Sequence, residues 1–409
     1  MAGIKYWVWL SEREGLPRRM ALLLLEHFGS PENVYYADAE EYLHVEGMTR
    51  QLAERLEDKS TAEADRILGE CERLGLRVLT MQDADYPVRL RNIYEPPCLL
   101  YVLGRLPEID EEAAIAMVGT RSATPYGVKV AEEMAYTLAR QGALIVSGAA
   151  YGIDSASHRG ALRAGAKTVA VLGCGIDVVY PSGNGQLYRD IAAVGALMSE
   201  YPPGTPAIGA HFPVRNRIIS GLCVATLVVE APERSGALIT ANTALEQGRE
   251  VFAVPGPIDA PMSRGCNRLI ADGAAALAAG SLDILRELEA RYPHKLHIKE
   301  TELPKTLGSR PKNELSAEKR KKADRDDGAG EERAQLPKLD LGKDGAGFSD
   351  DQICVLRKLA EGELQSDDLI EAVGLPTRRV LSALTMLQVD GYVTDNGGKR
   401  FSLNVELIG

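Results

Sequence analysis

FPVRNRIISGLCVATLVVEA at residues 212–231, continued by SGALITANTALEQGREVFAVPG at 235–256, sets an arginine-bearing polar segment against a buried apolar strand. A small-residue turn then opens a helix. That order gathers cations and free backbone N–H groups at the carboxyl end of a sheet, the edge where open α/β folds bind ligands. The ligand it predicts is a phosphate chain.

Upstream the same grammar repeats. AIAMVG (114–119), ALIVSG (143–148), TVAVLG (168–173), GALMSE (195–200), VATLVVE (224–230) and EVFAVPG (250–256) are short apolar runs, most ending in Gly or Ser, with amphipathic helices between them. Continuous apolar runs alternating with helices predict a mostly parallel sheet covered on both faces. The fold class is therefore α/β, an extended Rossmann-like, doubly wound domain over about 76–293. RVLTMQDADYPVRLRNIYEPPCLLYVLG at 77–104 supplies two further strands that extend one edge.

The flanks differ in composition. Residues 1–75 carry apolar side chains at helical spacing (Met20, Leu23, Leu24, Phe28, then Leu52, Leu56, Ile67, Leu68), which predicts a helical, SAM-like domain. Within it HVEGMTRQLAERL, turning at Gly47, is similar to a helix-hairpin-helix element that can hold a DNA phosphate. A packing bundle is the alternative, because Glu46 beside the turn repels phosphate. Residues 294–347 are charged and nearly devoid of large apolar groups, so they read as a flexible linker. From 348 to 409, three helical segments followed by YVTDNGGKRFSL, with a turn at Asn396 and Gly397, predict a winged helix. Its candidate reading surfaces hold only Arg378, Arg379, Lys399 and Arg400, which leaves protein contact and DNA readout both open.

Charge limits the partners. Lys plus Arg total 47 against 58 Asp plus Glu, a net charge of −11, which argues against coating nucleic acid over the whole surface and confines binding to one local basic pocket. The six cysteines (71, 98, 174, 223, 266, 354) form no C-x-x-C pair, so reduced thiols, no metal site and a cytoplasmic location are expected. MAGIKYWVWLSEREGL lacks a signal-peptide core, and no run of about 18 apolar residues suggests a membrane span.

Four loops fall at carboxyl ends of predicted strands. In VGTRSATPYG, Ser122 and Thr124 can cap the next helix and Arg121 can fork onto a phosphate, a surface ion pair being the plainer role. In SGAAYGIDSASHRGAL, the small residues Ser147, Gly148, Ala149 and Gly152 permit close backbone approach, and Asp154 or Ser155 can cap a helix whose N-terminus favours an anion. Ser147, Asp154 and His158 invite a triad reading, but the segment is no G-x-S-x-G elbow, and Asp154 and His158 are better read as fixing the loop. LGCGIDVVYPSGN has Val178 where a dinucleotide fingerprint needs its third glycine, so no nicotinamide or other cofactor is expected. The fourth is the opening stretch. Phe212, Arg215 and Arg217 offer an aromatic face and two cations, a minimal kit for single-stranded nucleic acid, unless Phe212 is core and the arginines pair with Glu200 or Glu230.

Together VGTRSATPYG, SGAAYGIDSASH, FPVRNRIISGL, RSGALITANTALEQGREVFAVPG and GCNRLIADGA resemble the DNA-processing protein A family, DprA, also called Smf. The resemblance implies a non-enzymatic protein that binds and protects single-stranded DNA, forms a homodimer through its Rossmann-like domain, and loads the RecA recombinase in natural transformation. The family's pocket falls on Arg121, Ser122, Ser147, Gly148, Phe212, Arg215, Arg217, Gly236, Ala237 and Leu238. A lysine common before the Phe-Pro pair is absent, with Ile208, Gly209, Ala210 and His211 in its place, which implies a less basic pocket.

The alternative is an enzyme or sensor acting on a small phosphorylated nucleotide. It needs a catalytic carboxylate, and Glu246 is the one loosely comparable residue. A duplex-specific regulator acting through the winged helix is a third, weaker reading.

Overall fold

The computed structural model describes residues 3–298, 338–340, 348–389, 392–395 and 400–408. The chain divides after Arg310 into two compact units. The first begins with six helices, α1 (Ile4–Ser11), α2 (Arg18–Phe28), α3 (Pro31–Tyr36), α4 (Ala39–Tyr42), α5 (Arg50–Glu57) and α6 (Ala62–Leu74). Short polar side chains start three of them. Ser30 accepts the Asn33 N–H, Asp38 and Glu41 form a reciprocal capping box, and Thr49 accepts the Leu52 N–H. Between α4 and α5 the chain reverses at Gly47, whose φ of 78° is one that L side chains resist. Glu46 beside it is exposed.

A nine-stranded sheet follows. Its strands are β1 (Arg77–Thr80), β2 (Leu99–Gly104), β3 (Ala114–Val118), β4 (Leu144–Ser147), β5 (Thr168–Leu172), β6 (Ala196–Ser199), β7 (Ala225–Val228), β8 (Glu250–Ala253) and β9 (Ala276–Leu277). Their spatial order is β1-β2-β6-β5-β4-β3-β7-β8-β9. The pairs β1/β2 and β2/β6 are antiparallel and all others parallel. Every apolar run read from the sequence is a strand, and the two from 77–104 form the antiparallel extension. The helices needed for the site are α7 (Val88–Arg91), α8 (Pro125–Arg140), α9 (Ile153–Arg163), α10 (Gly185–Val194), α11 (His211–Gly221) and α12 (Gly236–Glu246); α13 (Arg264–Ala271) and α14 (Ser281–Glu289) complete the unit.

Both faces of the sheet are buried because successive residues of each strand feed different cores. From β3, Ala114, Ala116 and Val118 join Ile218, Ile219 and Ala241 of α11 and α12, whereas Ile115 and Met117 join Leu138 of α8 and Ile153 of α9. Further along, Ala170, Leu172 and Leu197 pack with α10 and with Trp7, Trp9, Leu24 and Leu56 of the N-terminal helices. Those helices therefore share one core with the sheet, a consequence of the apolar stripes that the sequence shows on α2, α5 and α6.

Among the described residues the second unit shows three helices (Asp350–Leu359, Ser366–Val373, Thr377–Val389) and a small sheet in which Arg400–Leu403 pairs antiparallel with both Leu364–Gln365 and Val393–Asp395. This is a winged helix. Arg379 is held by Asp351 at 2.6 Å. The turn expected at Asn396 and Gly397, and Lys399, lie outside the described residues, as does most of the expected linker. Within that span, however, Lys338–Asp340 forms a strand parallel to Glu406–Ile408. Leu339, one apolar residue in a charged context, is buried there, a signal too small for composition to carry.

At the end of α1, Glu12 faces Glu200, which follows β6. Burial first, then the Glu200 and Glu63 carboxylates, push the Glu12 carboxyl up to about 7, against the pull of Arg18. An unfolded Glu titrates near about 4.3, so the folded chain holds the extra proton between these values and loses stability as pH rises through 7. Glu12→Gln is thus expected to be more stable than the parent above pH 8, by on the order of 1–2 kcal/mol. The gap should close towards pH 4 in melting temperatures taken across pH, and a variant less stable at pH 8 would contradict this account.

Candidate functional site

From β3 the chain steps outward through β4, β5 and β6, then returns so that β7 pairs with the other edge of β3. The loops leaving β3 and β7 diverge there, and in open α/β sheets such a switch point leaves a crevice outside the carboxyl ends of the strands. The crevice is present as a cleft of about 400 Å³, lined among others by Thr120, Arg121, Asp154, Phe212, Asn216 and Arg234.

Several helix N-termini approach it, and those of α8 and α9 are already occupied. At α8, Thr124 caps the Gly127 N–H at 3.1 Å, while the buried Glu230 carboxylate accepts the Thr124 N–H (2.8 Å) and hydroxyl (2.7 Å). At α9, the buried Asp154 carboxylate sits in the first turn and accepts the Ala150 N–H at 3.4 Å, and Ser155 turns back to donate to Ala150 O rather than capping. A carboxylate in each position supplies the negative charge that the helix dipole favours. The α12 terminus is different. Ser235 Oγ accepts the Ala237 N–H at 3.2 Å, and Gly236, whose N–H is the first of the helix and has no intrahelical partner, is exposed on the cleft wall.

The two arginines of the opening stretch do not act together. Residues 211–221 are helical, and positions two apart on a helix point to different faces. Arg215 turns inward. Its guanidinium is 4% exposed, donates to Gly148 O at 2.9 Å and to Val171 O, and holds Asn216 Oδ1 through Nε at 3.2 Å. Burial lowers its pKa, with Asp154 opposing that effect; the Asp154 carboxyl is itself raised by burial and held back by Arg215. Arg217 turns the other way to Glu200 at 2.7 Å, and Arg18 meets the same carboxylate oxygen at 3.3 Å. The plainer reading of Arg217, an ion pair with Glu200, is the one realised, and Arg217 does not line the cleft.

Arg121 remains exposed. Its guanidinium lies 4.6 Å from the centroid of the half-buried Phe212 ring, a cation–π contact of roughly 0.5–1 kcal/mol that orients the cation without neutralising it. Phe212 is therefore a support for Arg121 as well as an aromatic surface. It rests against Gly173, where an added Cβ would come within 2.9 Å of the ring.

The other expected residues build the walls. Ser147 is buried and donates to Met117 O at 2.6 Å. Gly148 has no room for a side chain, since a Cβ would stand 2.4 Å from Arg215 Nη1. Ser122 is exposed and its N–H donates to Thr120 Oγ1 at 3.2 Å. Ala237 is buried, and Leu238 packs on the core below. His211, in place of the lysine, stacks on Tyr201 at 4.1 Å and meets Gly173 O at 3.2 Å.

No triad forms. Thr168 Oγ1 donates to Ile145 O at 2.8 Å, so His158 Nδ1, 2.8 Å from that hydroxyl, must be the donor to it. Burial holds the His158 pKa down to about 3, keeping the ring neutral. Glu246 ends α12, about 15 Å along the axis from Gly236 at the helical rise.

Sequence reasoning missed two residues. Arg234 is an exposed cation on the cleft, and its signal was its place directly before the capping Ser235. Tyr180, stacked on Phe212, gave no local sign, because 31 residues separate the two in sequence.

A family model described as DNA recombination-mediator protein A matches residues 77–289, and one described as the DprA winged helix domain matches 335–399. Protein Smf of Synechocystis sp. is 36% identical over 329 residues, covering 76% of this chain and 83% of that protein. DNA processing protein DprA of Bacillus subtilis is 42% identical over 226 residues, covering 55% and 76%. The X-ray structure of DNA processing protein A from Streptococcus pneumoniae is similar with a TM-score of 0.61 at 36% identity, covering 69% of this chain and 97% of that one.

Removing Arg215 strands Asp154 as an uncompensated buried carboxylate. Arg215→Ala is expected to lose about 3 kcal/mol of stability in denaturant unfolding, whereas Arg121→Ala stays within about 1 kcal/mol of the parent. Equal stability of the two variants would contradict the division between a buried brace and a free cation.

Proposed function

We propose, for a chain that belongs to the DNA recombination-mediator protein A (DprA/Smf) family, that the switch-point cleft grips the backbone of single-stranded DNA. Arg121 and Arg234 meet phosphates, and the open Gly236 N–H at the start of α12 supplies a backbone donor. The observation that carries the reading is the exposed Arg121 guanidinium, 4.6 Å over the Phe212 ring, beside a helix N-terminus that no side-chain carboxylate fills. Contacts to phosphate position a strand without reading its bases, so binding is independent of sequence. A concave site favours one backbone over a duplex, and the net charge of −11 opposes wrapping of duplex on the remaining surface.

The same membership supports a role in recombination and natural transformation, in which this chain protects the strand and delivers it to RecA without cleaving it. Pairing of two copies through their sheet domains belongs to this proposal. So does a cytoplasmic location, which six free cysteines suit. Among the described residues, no helix is long and apolar enough to cross a membrane.

Fluorescent oligo-dT and a matched duplex, titrated across a salt series, test the proposal. Single-strand binding should be the tighter and should fall with salt. Arg121→Ala and Arg234→Ala should each weaken it similarly for all base compositions and reduce the slope of log K against log salt by about 0.7. A loss that depends strongly on base composition, or release of free base from a nucleotide, would refute it.

A further inference from the structure

Phe212 has a guanidinium over its ring, and Tyr180 stacks on it as well, with centroids 5.3 Å apart and planes 30° from parallel. Tyr180 is 39% exposed at the end of this column of Arg121, Phe212 and Tyr180. Its backbone is anchored, because Tyr188 of α10, itself buried, donates its hydroxyl to the Tyr180 carbonyl O at 2.8 Å. No hydrogen bond of the Tyr180 hydroxyl is formed among the described residues. Val179, Tyr151 and Ile208 are also exposed. Tyr151 follows Ala150, and Ile208 precedes Gly209, both of which line the cleft. A cationic cleft thus opens onto an apolar, ring-bearing margin.

We infer that Tyr180 forms a base-stacking subsite, which takes an unpaired nucleobase on its exposed ring while the adjoining phosphate is held at Arg121. The inference deepens the proposed reading of the cleft and rests on it. The chemistry follows from the column. Phe212 is engaged by Arg121 and by Tyr180, so of these two stacked rings it is Tyr180 that carries the accessible surface. Every base has an apolar face, so stacking tolerates all sequences, but a base within a duplex has both faces covered by its neighbours and cannot use the subsite. Tyr180 is therefore a residue that selects single strands, whereas the phosphate contacts are available to either form.

The test compares oligo-dT with an abasic oligomer of equal length, and follows a strand carrying 2-aminopurine, whose fluorescence is quenched on stacking. The parent should bind oligo-dT about tenfold more tightly than the abasic strand. Tyr180→Ala should erase that margin and the quenching while leaving abasic binding unchanged, and Tyr180→Phe should preserve both. Equal losses on the two strands would mark Tyr180 as structural, and no loss on either would mark it as a bystander; both results overturn the inference. If Arg121→Ala leaves abasic binding intact, the cleft reading fails, and the inference fails with it.

Discussion

A guanidinium cannot be left in a protein interior without acceptors, and Arg215 is one such group, 4% exposed beneath the cleft. It takes the carbonyls at the ends of two parallel strands, Gly148 after β4 and Val171 in β5, with the Asp154 carboxylate nearby. These demands propagate. Position 148 must lack a Cβ, α11 must present position 215 inward, and Phe212, three residues earlier on the same helix, then reaches the surface beside the β3 loop. Arg121 finds its resting place because Arg215 is not available to be the exposed cation.

The distribution of carboxylates completes the device. Glu230 fills the N-terminus of α8 and Asp154 that of α9, so these two dipole ends near the cleft are neutralised from within. Glu200 draws Arg217 and Arg18 away to the far side of α11. What remains for a ligand is narrow: two exposed arginines and the start of α12. On the proposed reading an acidic chain can still hold a polyanion in this cleft, because long-range repulsion is screened over about 8–10 Å in salt while contacts inside the cleft persist.

Much of this was legible in the sequence. Strands β3 to β8 were visible as apolar runs, since a strand buried on both faces shows no alternation and little else produces such runs of Val, Ile, Leu and Ala residues, whereas the two-residue β9 at Ala276–Leu277 was not. The motif positions were legible too, but their roles were not. Arg215 and Arg217 read as a pair because the start of α11 was not placed at His211; once helical, residues two apart cannot share a face. Ser147 and Ser122 became wall and turn residues, since a small hydroxyl satisfies a nearby backbone group as readily as a phosphate. Arg234 was overlooked beside louder glycines, and the Tyr180 stack depends on two strand connections meeting in space, which no local window contains. The strand at Lys338–Asp340 was hidden by its charged neighbours.

The most direct measurement is a crystal structure of the full chain with a short oligo-dT. The account predicts phosphate oxygens within hydrogen-bond reach of Arg121 and of the Gly236 N–H, with Arg215 and Arg217 unmoved in their internal contacts. A strand bound elsewhere, on the winged helix or on the N-terminal helices with the switch-point cleft empty, would contradict it.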